Sequence, residues 1–318
     1  MSGLEAIGSS AERRVTVITA DGVALAVREY GPRAAELTVV FLHGHCMRAE
    51  SWNEVRDELV REYPGARVVC YDHRGHGDSG NAPRNSYTLA QLGHDLGAVI
   101  DAVAPAGPVV LVGHSMGGMT VLTYISQRPQ EIGNRIAGVA LIATGASGIA
   151  EAGFGRLIRH PVVATFQAAV RWAPGLTRHA KSLACKVFAP LITMAEFGDR
   201  KVSPRIRSLV NAMHNQTSIV AMAAFLSAFL DYDRTDALPA LSHIPTLILC
   251  GSADLMTPPS HSIAMAAAVD YADLALVEGA GHSVILEQPE LVSAAIARLM
   301  TRAAGTERTA YRSLALVA

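Results

Sequence analysis

The chain is poor in aromatic residues and in cysteine, and it carries almost no net charge. Aromatic side chains make up 5% of its 318 residues, the cysteines number 4, and 27 Lys and Arg balance 28 Asp and Glu. The charge balance excludes a field that gathers nucleic acid or an anionic membrane, and the basic residues form no runs. We therefore expect a small, roughly neutral substrate and no nucleic-acid partner.

Two further absences bear on location. No apolar run is long enough to span a bilayer, and the N-terminal segment, with Glu5 and Glu12, lacks the apolar stretch of a signal peptide. The cysteines Cys46, Cys70, Cys185 and Cys250 lie far apart, as free thiols do in a reducing compartment. These features predict a cytoplasmic protein without an integral membrane segment.

What the sequence does contain is a regular alternation of strand and helix patterns. Hydrophobic residues make up 50% of the chain, enough for one large core and an insertion. Short β-branched runs separated by helical patterns are typical of a mostly parallel sheet covered on both faces. The predicted strands are residues 15–18, 24–30, 37–42, 67–71, 109–112, 136–143, 246–250 and 274–277. The first two should form an antiparallel hairpin that turns at Asp21-Gly22.

The alternation breaks at Gly145 and resumes near residue 244, which divides the chain into parts. We expect the core to comprise residues 1–145 and 241–303, with a helical cap at 146–240 over the carboxyl ends of the strands, where ligands bind. Within the cap, residues 219–230 are apolar almost all round, as in a buried or interfacial helix. The tail, 304–318, has no core pattern and is compatible with disorder.

The strongest functional signal is a buried strand that runs into a small-residue turn and then an apolar helix. The turn reads Gly113-His114-Ser115-Met116-Gly117-Gly118. This is the form of a nucleophile elbow, in which a strained turn exposes a serine Oγ at a helix N-terminus. A chance match in a glycine-rich loop is the alternative, and the flanking strand and helix disfavour it. Ser115 is the predicted nucleophile.

A serine hydroxyl is a poor nucleophile until a base takes its proton, so a histidine and a carboxylate are required. Asp254 follows the predicted strand 246–250, and His282 follows strand 274–277 in a glycine-rich loop. Both stand just past the carboxyl end of their strand, on the sheet edge expected for Ser115. The predicted triad has His282 as general base and Asp254 as the carboxylate that orients it. A structural surface-loop histidine is the alternative for His282.

Two backbone amides are predicted to stabilise the oxyanion that forms when Ser115 attacks a carbonyl. Met116 follows the nucleophile at the start of a helix, where the helix dipole favours negative charge. His45 lies in the loop after strand 37–42, where Gly44 lets the backbone approach.

A metal-dependent hydrolase is a competing hypothesis of another class. It is raised by the four histidines His43, His45, His73 and His76. The stretch His-Gly-His-Cys lacks the further Asp-His of a dinuclear site, and no three-histidine set of a catalytic zinc is evident. We therefore predict no metal and no other cofactor.

The chain resembles the α/β-hydrolase superfamily over roughly residues 15–303. The motifs that carry the resemblance are Phe41-Leu42-His43-Gly44, residues 72–79, residues 113–118, Gly251-Ser252-Ala253-Asp254 and Gly281-His282 through Glu287-Gln288-Pro289-Glu290. The resemblance implies the α/β-hydrolase fold, with a mostly parallel eight-stranded sheet, helices on both faces and a helical cap that shapes substrate choice. Residues 72–79 would be mainly a structural turn. Within the superfamily the chain is similar to serine esterases, monoacylglycerol lipases and cofactor-free perhydrolases.

These features predict a serine hydrolase that cleaves carboxylic esters of small lipophilic substrates through an acyl-enzyme on Ser115. An aliphatic pocket is expected, and its candidate substrate-binding residues are Cys46, Met213, Met222 and Phe225. Packing within the cap is the alternative for each cap residue.

Other activities stay open on the sequence alone. Thioester hydrolysis, C–C bond hydrolysis and perhydrolysis use the same triad, and a non-catalytic receptor on the same fold is a distant alternative. The apolar cap is compatible with weak contact to a lipid interface, and the sequence leaves the oligomeric state open.

Overall fold

A computed structural model describes residues 12–173, 177, 195–198, 202–305 and 314–317. In this part of the chain, one sheet runs through the molecule in the order β1-β2-β4-β3-β5-β6-β7-β8-β9. Its strands are β1 (Arg13–Ile18), β2 (Ala24–Tyr30), β3 (Thr38–Leu42), β4 (Arg67–Tyr71), β5 (Val109–His114), β6 (Ile136–Ile142), β7 (Thr246–Gly251), β8 (Asp273–Val277) and β9 (Leu314–Val317). The pairs β1–β2 and β2–β4 are antiparallel, and the remaining pairs are parallel.

The predicted fold class is confirmed, and all eight predicted strands are present with small shifts at their ends. The hairpin of β1 and β2 turns through Gly22, whose φ of 82° is a conformation that suits glycine. The difference from the prediction is β9, which pairs with β8 from within the tail. Its four residues follow a polar stretch and are too few to show a core pattern.

Helices cover both faces of the sheet. The α-helices of the described residues are α1 (Asn53–Glu62), α2 (Leu89–Val103), α3 (Met116–Gln127), α4 (Pro161–Trp172), α5 (Pro204–Gln216), α6 (Ile219–Ala228), α7 (Leu238–Leu241), α8 (Pro259–Ala268), α9 (Val284–Glu287) and α10 (Pro289–Ala303). Val39 and Phe41 of β3 pack with α1 and α10, whereas Val40 and Leu42 pack with α2 and α3. Successive strand residues point to opposite faces, so burial of both faces produces the continuous apolar runs seen in the sequence.

The stretch between β6 and β7, residues 146–240, contains helices and no strand of the sheet in its described residues; we call it the insertion. Its two ends meet, because the Arg234 amide donates to the Ala146 carbonyl at 2.8 Å and Ser147 bridges Asp233. The chain therefore enters and leaves the insertion at adjacent points of the core.

No helix among the described residues is both long enough and apolar enough to cross a membrane. Cys46, Cys70 and Cys250 are buried and form no disulfide bond with one another. Cys185 and residues 1–11 lie outside the described residues, as do residues 306–313 and 318 of the tail.

Candidate active site

Ser115 stands at the turn where β5 ends and α3 begins. Its φ of 52° and ψ of −119° are strained for a residue with a side chain, and such strain is concentrated at functional sites. The turn is tight enough to require its glycines. A Cβ on Gly113 would lie 2.5 Å from the Gly118 nitrogen, and one on Gly117 would lie 2.2 Å from the Leu42 carbonyl oxygen.

The structure brings the three predicted triad residues together in one hydrogen-bonded row. His282 Nε2 lies 2.9 Å from Ser115 Oγ, and His282 Nδ1 lies 2.9 Å from Asp254 Oδ2. Asp254 follows β7 and His282 follows β8, and both strands run parallel to β5 in the same sheet. The three side chains converge because the carboxyl ends of parallel strands share one edge.

The Asp254 carboxylate is held by four hydrogen bonds. Oδ1 accepts the amides of Met256 and Thr257 at 2.8 and 2.9 Å, and Oδ2 accepts the Thr257 hydroxyl at 2.9 Å besides His282 Nδ1. Burial alone would raise the pKa of this carboxyl, but the His282 charge and these donors outweigh burial and lower the pKa. The carboxylate therefore stays ionised beside the histidine.

The interaction with Asp254 in turn makes His282 more basic. Burial disfavours the imidazolium, but attraction and hydrogen bonding to Asp254 outweigh burial, with smaller contributions from Glu196 and Glu287. The pKa of His282 is raised as a result. A raised pKa makes the imidazole a stronger proton acceptor toward the Ser115 hydroxyl.

Two neighbours fix the backbone of the histidine loop. His114 Nε2 donates to the His282 carbonyl oxygen at 2.8 Å, and the Gly281 amide donates to Glu287 Oε1 at 2.8 Å. Burial lowers the pKa of His114 to about 3, so its ring is neutral at physiological pH. His114 can therefore serve as a fixed donor without adding charge next to the triad.

The two predicted oxyanion donors belong to two different segments next to Ser115. Met116 is the first residue of α3. The loop that contains His45 approaches so closely that a Cβ on Gly44 would lie 3.3 Å from Ser115 Cβ and 2.8 Å from His114 Nδ1. The next amide, that of Cys46, donates to His76 Nε2 at 3.2 Å and fixes the loop. Both predicted amides thus belong to segments in contact with the nucleophile.

A model of the alpha/beta hydrolase family matches residues 39–295. The chain belongs to this family. Among solved structures, this hydrolase is similar to a thermophilic esterase of Thermogutta terrifontis, with a TM-score of 0.72, 26% identity and coverage of 92% of this chain and 99% of the other.

Two characterised relatives differ in activity. The sn-1-specific diacylglycerol lipase ABHD11 of Mus musculus is 26% identical over 262 residues, 79% of this hydrolase and 77% of the lipase. The bifunctional esterase/perhydrolase DCH of Acinetobacter calcoaceticus is 33% identical over 115 residues, 36% of this hydrolase and 40% of the relative.

A cavity of about 520 Å³ opens above Ser115 and His282. Its wall is mostly apolar and combines the loop that contains His45 with residues of the insertion. Apolar side chains in the wall include Met47, Met119, Ile149, Phe154, Leu157, Ile158, Val162, Val163, Phe166, Ile219, Met222, Leu226 and Phe229. A cavity of this size and character accommodates a small lipophilic ligand.

Two of the four predicted substrate-binding residues line the cavity, and the other two do not. Cys46 and Met222 line the cavity, whereas Met213 and Phe225 are absent from its wall. Met213 is buried in the core that contains α1 and α10. Phe225 is fully buried and packs its ring 5.6 Å from that of Tyr87. Met213 and Phe225 therefore pack in the protein interior, which was the alternative to a role in substrate binding.

Sequence reasoning missed three polar residues at the site: Thr257, Glu196 and His214. Thr257 binds Asp254, and its position three residues after the acid is a signal that could have indicated a local side-chain turn. Glu196 and His214 line the cavity from the insertion, where no motif marks them.

Three of the histidines that raised the metal hypothesis, His43, His73 and His76, are packed in the core of the hydrolase, whereas His45 lines the cavity. The rings of His43 and His73 lie 4.5 Å apart, and His43 Nε2 accepts the His73 amide at 2.9 Å. Burial lowers the pKa of His43 to about 4. Within the described ranges, no three His, Cys, Asp or Glu side chains are arranged to hold a metal ion.

Proposed function

We propose that this hydrolase cleaves carboxylic esters of small lipophilic compounds through an acyl-enzyme on Ser115. One observation carries the proposal. The row from Ser115 Oγ through His282 to Asp254, with both contacts at 2.9 Å, faces an apolar cavity large enough for an acyl or alkyl chain.

In the first step, His282 Nε2 takes the proton of the Ser115 hydroxyl as Oγ attacks the ester carbonyl carbon. Asp254 holds the imidazole with Nδ1 protonated and stabilises the imidazolium. The same proton then passes to the leaving alcohol. In the second step, His282 activates a water molecule, which releases the acid from Ser115.

The tetrahedral intermediate carries a negative oxygen that needs donors. We assign this role to the backbone amides of Met116 and His45, which flank Ser115. Loss of one such donor typically lowers the rate by about 10²–10³-fold. Gly44 is required because a side chain there would collide with His114.

The insertion is proposed to act as the cap that selects the substrate. Leu157 and Val162 line the cavity and are 46% and 67% exposed, so they stand at its mouth. Exposed apolar residues beside Arg156 and Arg159 support weak contact with a lipid interface. The buried cysteines Cys46, Cys70 and Cys250, which form no disulfide bond with one another, support a cytoplasmic location.

Labelling and turnover test the proposal together. A fluorophosphonate should form an adduct at Ser115, located by mass spectrometry, and p-nitrophenyl esters of graded acyl length should be hydrolysed. Ser115→Ala should lose the adduct and lower kcat by about 10⁴-fold or more. An adduct elsewhere, or undiminished turnover by the alanine variant, would contradict the mechanism.

Perhydrolysis is a second candidate because the relative DCH is named as an esterase/perhydrolase. In that reaction hydrogen peroxide replaces water as the acceptor of the acyl group. Adding peroxide to a steady-state ester assay and measuring peracid formation separates the two activities. Thioesters and C–C diketones belong in the same substrate screen, and a lack of turnover with every class would favour a receptor.

A further inference from the structure

The loop that contains the predicted donor His45 bends in a tight turn with a strained backbone. The Met47 amide donates to the Gly44 carbonyl oxygen at 3.1 Å, so His45 and Cys46 are the two central residues of a β-turn. Cys46 has a φ of 60°, a value of the kind that a type II turn requires at this position and that glycine normally supplies. A residue with a side chain keeps such a conformation only where its surroundings enforce it.

The side chain of His76 supplies a contact that enforces this turn. Its Nε2 accepts the Cys46 amide at 3.2 Å, and its Nδ1 lies 3.1 Å from the Arg74 carbonyl oxygen. A backbone amide can only donate and a carbonyl oxygen can only accept, so the ring of His76 is neutral with its proton on Nδ1. The ring is 1% exposed and packs against the rings of His45 and Phe225, which leaves it little room to rotate.

Without this acceptor, the turn has a less strained alternative. Type I differs from type II by a flip of the central peptide, and it needs only negative φ values, which any residue adopts. The flip would place the His45 carbonyl oxygen opposite His76 Nε2, where two acceptors would face each other. His76 in its present tautomer therefore stabilises the observed turn and also disfavours the alternative.

We propose that His76 is a positioning residue, which holds the turn at residues 44–47 in the conformation that presents the His45 amide to the oxyanion. The inference rests on the proposed function, since the oxyanion forms only when Ser115 attacks a carbonyl. Residues 72–79, expected from the sequence to be mainly a structural turn, thereby contribute to the rate. The carbonyl oxygen becomes negative only during the attack, so His76 should affect the transition state and not the binding of the ester that precedes it.

Two variants with side chains of similar length separate the acceptor from the packing. His76→Met and His76→Gln both introduce an unbranched side chain, but only glutamine has an oxygen that accepts the Cys46 amide strongly. With p-nitrophenyl hexanoate, kcat should fall about 10–100-fold in His76→Met while KM changes by less than about 2-fold. In His76→Gln, kcat should stay within about 5-fold of the wild-type value.

A transition-state analogue provides a readout that a merely structural role would not change. When trifluoromethyl hexyl ketone binds, Ser115 Oγ bonds to its carbonyl carbon, the proton passes to His282, and the carbonyl oxygen becomes negative. Methyl hexyl ketone has the same carbon chain and binds without this addition. In His76→Met the inhibition constant of the fluorinated ketone should rise by about the factor by which kcat falls, and that of methyl hexyl ketone should stay within about 2-fold.

His73→Met is the matched control. His73 is a fully buried histidine of the same turn, and its ring nitrogens make no hydrogen bond with any described residue. The control should keep kcat and both inhibition constants near the wild-type values. Thermal unfolding measures how much stability each variant loses. A kcat near the wild-type value in His76→Met, or an equal loss of kcat in this variant and in His76→Gln or His73→Met, overturns the proposal.

A measurement on the wild type decides even where a variant fails to fold. Nitrogen NMR of the histidine rings should place the proton of His76 on Nδ1, and a proton on Nε2 overturns the proposal. Ser115 labelling and ester turnover with no effect of His76→Met on kcat would refute only the positioning role. Absence of both labelling and turnover would refute the proposed function, and the NMR measurement would still decide whether His76 holds the turn.

Discussion

The end of the core that holds the triad and the insertion above it are packed to very different degrees. Phe41, Leu42 and Val112 of the central strands are fully buried, and Asp254 and His282 are 2% and 3% exposed. In the insertion, Val162 and Trp172 of α4 are 67% and 78% exposed. The reacting groups are therefore fixed by a closed core, whereas the walls around the substrate belong to a more open layer.

This difference separates two tasks within one chain. The core supplies chemistry that demands fixed geometry, and each atom of the Asp254 carboxylate is matched by donors from its own loop. The insertion supplies much of the apolar wall of the cavity and the buried acid Glu196. Substitutions in the core should therefore change the rate of reaction, and substitutions in the insertion should change which substrate is preferred.

The largest expected effect belongs to the core. Asp254→Asn keeps the shape of the side chain but removes the charge and disturbs the tautomer of His282, so kcat should fall by about 10⁴-fold. Steady-state kinetics with p-nitrophenyl butanoate measure the loss, and thermal unfolding verifies that the variant is folded. A variant that kept wild-type kcat would show that the geometry of the row is not needed for turnover.

A second substitution tests the junction between the two regions. Gly198→Ala introduces a Cβ 2.4 Å from the Gly279 carbonyl oxygen, and the backbone on both sides must shift to accept it. We expect the free energy of unfolding in urea to fall by about 1–3 kcal/mol. Gly65→Ala is the matched control, because a Cβ there meets no atom within 4 Å. Equal losses in the two variants would mean that the contact at Gly198 adds nothing.

The pH dependence of kcat/KM provides a third comparison. His282 must be neutral to accept the Ser115 proton, and its pKa is raised above the ordinary value. As the pH is lowered, activity should therefore begin to fall at a higher pH than it would with an isolated histidine. Asp254 stays ionised over this range because its pKa is lowered. In Asp254→Asn the attraction that raises the pKa is lost, so the acid limb of the residual activity should move to lower pH. If the acid limb lies at the same pH in the wild type and in Asp254→Asn, a group other than His282 produces it.

The smallest effect is expected at the rim of the insertion. Val162→Ser should change the free energy of unfolding by no more than about 0.5 kcal/mol, because the side chain is mostly exposed. Because Val162 lines the cavity, the substitution should still raise KM a few-fold for long acyl esters, and it should leave KM for acetate esters unchanged. Ile18→Ser, at a site 62% exposed on edge strand β1, is the matched control. A similar KM change in both variants would remove Val162 from substrate binding.

The sequence predicted the core well for a physical reason. Residues 38–42 are buried on both faces, so the strand is a continuous apolar run that few other structures produce. Because each catalytic loop follows such a strand, the positions of Ser115, Asp254 and His282 followed from the strands themselves. The structure places His282 within hydrogen-bond distance of both Ser115 and Asp254.

The insertion could not be predicted to the same depth. Helix α6 is apolar almost all round, so no periodicity distinguishes Met222, which faces the cavity, from Phe225, which packs against Tyr87. Glu196 contacts Ser283 across 87 positions of sequence, a pairing that no local pattern encodes. The strand β9 was missed because four apolar residues after a polar stretch resemble many unpaired tails.

The adjacent points at which the chain enters and leaves the insertion have a consequence for how such proteins diversify. With the Arg234 amide bound to the Ala146 carbonyl at 2.8 Å, everything between these two residues forms one loop closed at its base. Exchanging that loop for another of different length would leave the strands and the nucleophile turn in register. A replacement must also supply the contact that Glu196 makes with Ser283, beside His282.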